Sequence, residues 1–206
     1  MTAPSDSSED EELSDAFDQH RDRLRRMVQM RLDWRLQPRV DASDVIQEAY
    51  VEAFSRFETY QREQPMPLFL WLRFLVAERL TTLHRHHLGV KKRTANREVP
   101  LHRRAMPEAS SIALVARLMD AKTTPSQAAL RSERAERLQT MLNEMDEIDR
   151  EVLTLRHFEH LTRSESAAVL GITEAAAGKR YLRALRRLKD VMNEESEEAD
   201  GHRFSE

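Results

Sequence analysis

Near the end of the sequence, in SESAAVLGITEAAAGKRYLRALRRL (Ser164 to Leu188), an alanine-rich turn and a glycine precede Lys179, Arg180, Arg183, Arg186 and Arg187. Ammonium and guanidinium groups at this spacing break no bonds. They pair with phosphate or carboxylate. On a helical wheel Ala175, Lys179, Arg183 and Arg186 share an outward arc, with Arg180 and Arg187 beside them. Ala177, Tyr181, Ala184, Leu185 and Leu188 form the opposite, inward stripe. A small-residue first turn followed by cations suits a helix that approaches a major groove closely and meets phosphates.

The histidines are the other candidates. His84, His86 and His87, with His102 further on, invite a metal reading, and His157 and His160 also lie within one turn. No carboxylate joins either group at a zinc-motif spacing, so no metal site is expected, and phosphate or base contact suits these histidines better. Cysteine is absent, which removes thiolate catalysis, disulfides and cysteine zinc sites. No glycine-rich phosphate loop, nucleophile elbow or HExxH is present, so neither enzymatic activity nor a cofactor is expected.

Net charge is only -3, yet charge is strongly patterned. Asp6, Glu9, Asp10, Glu11, Glu12 and Asp15 make an acidic head, and Glu194, Glu195, Glu197, Glu198 and Asp200 an acidic tail. Basic stretches lie between them, around Arg79 to Arg104 and Lys179 to Lys189. That arrangement suits a polyanion partner. The start of the chain lacks a secretory pattern, and the longest apolar patch, Leu68 to Ala77, is broken by Arg73. A cytoplasmic protein with no membrane partner is expected.

Helical periodicity positions these residues. The pattern predicts a disordered acidic head over 1–12 and an N-terminal helical domain over 13–89. Its first helix spans 13–36, through Leu13, Phe17, Leu24, Val28 and Leu32, and stops before Pro38. Asp41 or Ser43 caps a second helix running through Phe57. Ile46, Ala49, Tyr50, Ala53 and Phe57 face the core, and Asp44, Gln47, Glu48, Val51, Glu52 and Ser55 face away. The loop TYQREQPMP leads to a third helix from Pro67 to Gly89. A flexible linker is expected over 90–125, with a short helix within it around Ile112 to Met119. A second domain covers 126–193 and an acidic tail 194–206. In this second domain Leu130, Leu138, Met141, Leu142 and Met145 mark a first helix, and Asp146 caps a second. Thr162 and Glu165 have capping-box spacing before a third, and Thr173 caps the last, which ends near Met192. Gly171 supplies the tight turn between the last pair, and Ala167 lets them pack closely. The expected fold is all-α, two small helical domains with a helix-turn-helix in the C-terminal one.

LNEMDEIDREVLTLRHFEHLTRSESAAVLGITEAAAGKRYLRALRRL resembles the promoter-binding domain of extracytoplasmic-function sigma factors of the sigma-70 family. Upstream, DVIQEAYVEAFSRF and FLWLRFLVAERLTTLHRHH resemble the N-terminal domain of the same family, in the expected order. The chain departs from the family at Ala175, Ala176 and Ala177 and at Gly178, a position often basic. The resemblance implies a sigma factor that binds core RNA polymerase and directs promoter-specific initiation on double- and single-stranded promoter DNA, with an anti-sigma factor as candidate partner. It implies polymerase docking by Asp44, Gln47, Glu48 and Val51. Arg62, Gln64, Arg73, Arg79, Arg85 and His86 are the implied contacts of the N-terminal domain with the melting element, and Trp71 is expected in the core. Lys179, Arg180, Leu182 and Arg183 would read the upstream element, with Arg186 and Arg187 on phosphates. The alternative is a helix-turn-helix regulator that binds DNA without polymerase.

Overall fold

The computed structural model describes the backbone of residues 5–88, 107–119 and 128–201, and side chains for 11–88, 107–119 and 132–193. Every regular element among the described residues is helical. The chain divides into two compact units, Met1–Glu108 and Ala109–Glu206. Gly89, the basic stretch beyond Leu88, His102 and the side chain of Leu130 lie outside the described residues.

The first unit is built on α1 (Ser5–Arg31), α2 (Ala42–Glu63) and α3 (Leu68–Leu88). The α1 stripe Leu13, Phe17, Leu24 and Val28, continued by Leu32, is buried as its spacing predicts. The helix starts at Ser5, inside the segment expected to be a disordered head, and ends before residue 36. The early stop has a local cause. Asp33 Oδ1 accepts the backbone N–H of Arg35 at 2.9 Å, a side-chain turn that competes with the next helical bond.

Asp41 is the N-cap of α2, and it and Asp44 each accept a backbone N–H from the other's end of the first turn. Val45, Ile46, Ala49, Ala53 and Phe57 are buried. The helix runs past Phe57 to Gln64, whose left-handed φ of 38° closes it while its N–H donates to Tyr60 O at 2.7 Å. The Tyr60 hydroxyl then ties the connection down by donating to Met66 O at 2.9 Å. Trp71, 7% exposed, is a core residue, its ring 4.5 Å from that of Tyr60 between centroids.

The second unit begins with α4 (Ser111–Leu118), the short helix expected within the linker segment. Ser110 caps it, and buried Leu114 and Val115 form its apolar side; it packs on α5 (Ala128–Glu144). Asp146 accepts the N–H groups of Ile148 and Asp149 to start α6 (Glu147–Leu153). The backbone continues as a π-helical turn, Thr154–Phe158, and reverses at His160 with φ 56°. Then come α7 (Arg163–Leu170) and α8 (Glu174–Gly201). The last helix passes Met192 and enters the acidic tail, whose Glu and Ala residues propagate a helix well until Gly201.

Candidate nucleic-acid interface

The turn between α7 and α8 is fixed by backbone geometry. Thr162 and Glu165 form the reciprocal box, at 2.7 Å from Thr162 N–H to Glu165 Oε2 and 3.1 Å from Glu165 N–H to Thr162 Oγ1. Gly171 takes φ 63° and ψ 36°. Its N–H donates to Ala168 O at 3.3 Å and that of Ile172 to Ala167 O at 3.1 Å, the paired bonds of a Schellman ending. Thr173 Oγ1 accepts the Ala176 N–H at 3.2 Å and opens α8. Ala167, Ala177, Ala184 and Leu188 are buried, so small side chains fill the seam.

Ala175, Lys179, Leu182, Arg183, Arg186 and Arg187 are exposed on α8. Leu182 is 54% exposed, an apolar side chain among cations. Gly178 leaves a gap beside Arg163, whose Cδ would lie 3.4 Å from a Cβ placed there. Arg163 is exposed and reaches Glu174 at 3.8 Å.

Arg180 differs from its neighbours. Its side chain is 27% exposed and Nη1 lies 2.6 Å from Asp149 Oδ1 and 3.0 Å from Asp146 Oδ1. Grouped with the groove-reading residues from sequence, it is turned into the seam with α6. The reason is its place beside Ala177, Tyr181 and Ala184, within reach of two carboxylates across the seam. Arg183 Nε lies 3.2 Å from Asp149 Oδ2, but its side chain is 59% exposed. The bond to Asp149 holds the Arg180 guanidinium above its ordinary pKa despite burial. Burial opposes ionisation of Asp146, yet the N–H groups of Asp149 and Ile148 and the Arg180 charge outweigh it and leave the carboxyl below its ordinary range.

In the first unit, Asp44, Gln47, Glu48 and Val51 are exposed on one face of α2, Val51 at 66%. Phe54, 51% exposed, joins that face. Sequence reading passed over it, although its place one turn beyond Val51 and two beyond Gln47 was the available signal. Glu48 is paired with Arg79, so these candidates for two different partners hold each other. Arg62 is exposed in the last turn of α2 rather than in the loop, and Gln64 is exposed at the helix cap. Arg85 and His86 are exposed near the end of α3.

Arg73 departs most from expectation. It is 3% exposed, not presented outward for a DNA backbone. Its spacing from Phe69, Val76 and Leu80 puts it on the core stripe of α3, where a long apolar stem packs well. Among the described residues no group of three or more His, Cys, Asp or Glu could hold a metal ion, and no helix is long and apolar enough to cross a membrane. His157 and His160 are both exposed, and His84 Nε2 accepts the Asp33 N–H at 3.3 Å.

Residues 135–188 match the family described as Sigma-70, region 4. No curated protein matches the chain. A solved structure of CnrH in complex with the cytosolic domain of CnrY is similar at a TM-score of 0.48 and 19% identity, covering 88% of this chain and 87% of that one. The family match runs from within α5 through the cationic face of α8. The helix-turn-helix of this chain thus lies within a segment that matches sigma-70 region 4, the segment whose sequence resembles the promoter-binding domain of that family.

Proposed function

We propose that this protein is a sigma factor of the extracytoplasmic-function type that binds core RNA polymerase and directs it to specific promoters. The observation that carries the proposal is the region 4 domain with an outward cationic helix face, Lys179, Arg183, Arg186 and Arg187 beside exposed Leu182. On this reading α8 enters the major groove of an upstream element, its alanine turn allowing close approach and its later cations meeting phosphates. The protein is not an enzyme; polymerase supplies the chemistry, in the cytoplasm.

The first unit supplies two further surfaces. Exposed Val51 and Phe54 among Asp44, Gln47 and Glu48 suit a protein partner, since paired apolar side chains on a wet helix face gain by being covered. Core polymerase is that partner. On the same reading Arg62, Gln64, Arg85 and His86, all exposed, meet DNA where strands separate. Extruding a base costs a few kcal/mol of stacking, recovered by pocket and phosphate contacts. An anti-sigma factor is a further candidate partner by the same resemblance.

Co-purification tests the reading. Full-length chain retains core polymerase on a column, and the Asp44→Arg/Val51→Asp double variant, with unchanged helicity, does not. Retention of polymerase by neither protein, with duplex DNA still bound, would establish instead a helix-turn-helix regulator that works without polymerase.

A further inference from the structure

Asp149 is a buried carboxylate against the cationic helix, with its side chain 3% exposed, and each of its oxygens meets a different arginine of α8. The two arginines are held unequally. Arg180 contacts Asp149 Oδ1 at 2.6 Å and has a second carboxylate, Asp146, at 3.0 Å. Arg183 reaches only Asp149 in this network, through Nε at 3.2 Å, and its side chain is 59% exposed. A carboxylate sealed from water keeps its partners because leaving it uncompensated is costly. If Arg183 moved away, Arg180 would still neutralise Asp149. Arg180 is therefore the fixed member and Arg183 the exchangeable one.

We infer that Asp149 is an internal competitor for DNA phosphate: it anchors α8 through Arg180 and withholds Arg183 from non-specific duplex. The inference rests on the reading that α8 docks on DNA. Non-specific binding is driven by counterion release, so each cation that neutralises a phosphate steepens the salt dependence. A cation already neutralised by a buried carboxylate releases no counterion. Lys179 lies one turn before Arg183 on the same exposed arc and has no such restraint among the contacts shown. Asp149 thus lowers the affinity of the helix for arbitrary DNA without removing an arginine from its surface. It acts as a positioning residue and makes no contact with nucleic acid itself.

The test uses the full chain and a mixed-sequence duplex, with affinity measured by fluorescence anisotropy over a salt series. Asp149→Asn keeps the shape and one acceptor but removes the charge. It steepens the slope of log K against log salt by up to about 0.9 and raises affinity by up to about fivefold at about 0.1 M salt. Both changes vanish in the Asp149→Asn/Arg183→Gln double variant. Exposed single variants decide the matter if Asp149→Asn fails to fold. Lys179→Gln flattens the wild-type slope by about 0.9, and Arg183→Gln flattens it by clearly less. Arg183→Gln flattening the slope as much as Lys179→Gln overturns the inference, as does a folded Asp149→Asn with an unaltered slope. Wild-type protein that binds no duplex at all would instead overturn the DNA reading on which the inference stands.

Discussion

Arg180→Ala and Arg183→Ala change the same residue type one turn apart, and the structure separates their consequences. Removing Arg180 strips Asp149, 2% exposed, of its closest counter-charge and removes a bond to Asp146. Breaking a fully buried pair costs about 3–5 kcal/mol; Arg183 remains to compensate and Arg180 is itself 27% exposed, which brings the expected loss to about 2 kcal/mol. Arg183, at 59% exposure, forms a largely solvated pair whose loss costs less than about 1 kcal/mol. Urea denaturation at neutral pH reads both. The protein carries its own control, because its two tryptophans, Trp34 and Trp71, lie in the first unit and the substituted helix lies in the second. Helicity lost from the second unit shifts to lower urea in Arg180→Ala, while the tryptophan fluorescence transition stays in place. An Arg180→Ala protein within about 0.5 kcal/mol of wild type, or Arg183→Ala costing as much as Arg180→Ala, would refute the assignment of Arg180 as the anchored arginine.

Gly171→Ala forces a side chain into a φ of 63° and destabilises the second unit by about 1–2 kcal/mol, readable in the same denaturation series. Gly178→Ala does the reverse. Its new Cβ meets Arg163 Cδ at 3.4 Å, an ordinary contact, and helix propensity stabilises the unit by about 0.4–1 kcal/mol. The bond from Arg35 holds the Asp33 carboxyl at about 2, below its ordinary 3.8. Because the folded value is the lower one, the stability it contributes is present above pH 3.8 and is lost as pH falls through about 2. Carbon NMR titration of Asp33 follows this directly, and Arg35→Ala returns the midpoint to the ordinary carboxylate range.

The architecture was legible where a signal is local. Thr162 and Glu165, Asp146, Asp41 and Gly171 announce helix ends through side-chain and backbone bonds spanning a few residues, and each does what its position implies. The apolar stripes of α1 and α2 were equally readable, since burial on a helix repeats every turn. Charged residues at the margin of a stripe were not. Arg73 stands on the core stripe of α3 and Arg180 beside that of α8, and packing across the bundle decides whether such a charged side chain turns in or out. The burial of Asp149 left no trace in sequence, because an acid in the first turn of a helix is ordinary and its burial depends on α8 crossing it. The end of α1 escaped for a similar reason: Asp33 breaks the helix through its own side chain, whereas the apolar pattern continues to Leu36.

The central claim is that the region 4 domain works for polymerase. In-vitro transcription by core RNA polymerase on a randomised promoter library, with and without the full chain, measures it most directly. The account predicts discrete transcripts that require the chain and whose templates share a melting-proximal and an upstream element, the latter lost in Lys179→Ala and Arg186→Ala variants. Transcript yields and start sites identical to those of core polymerase alone, from protein that is folded and binds duplex DNA, would contradict it.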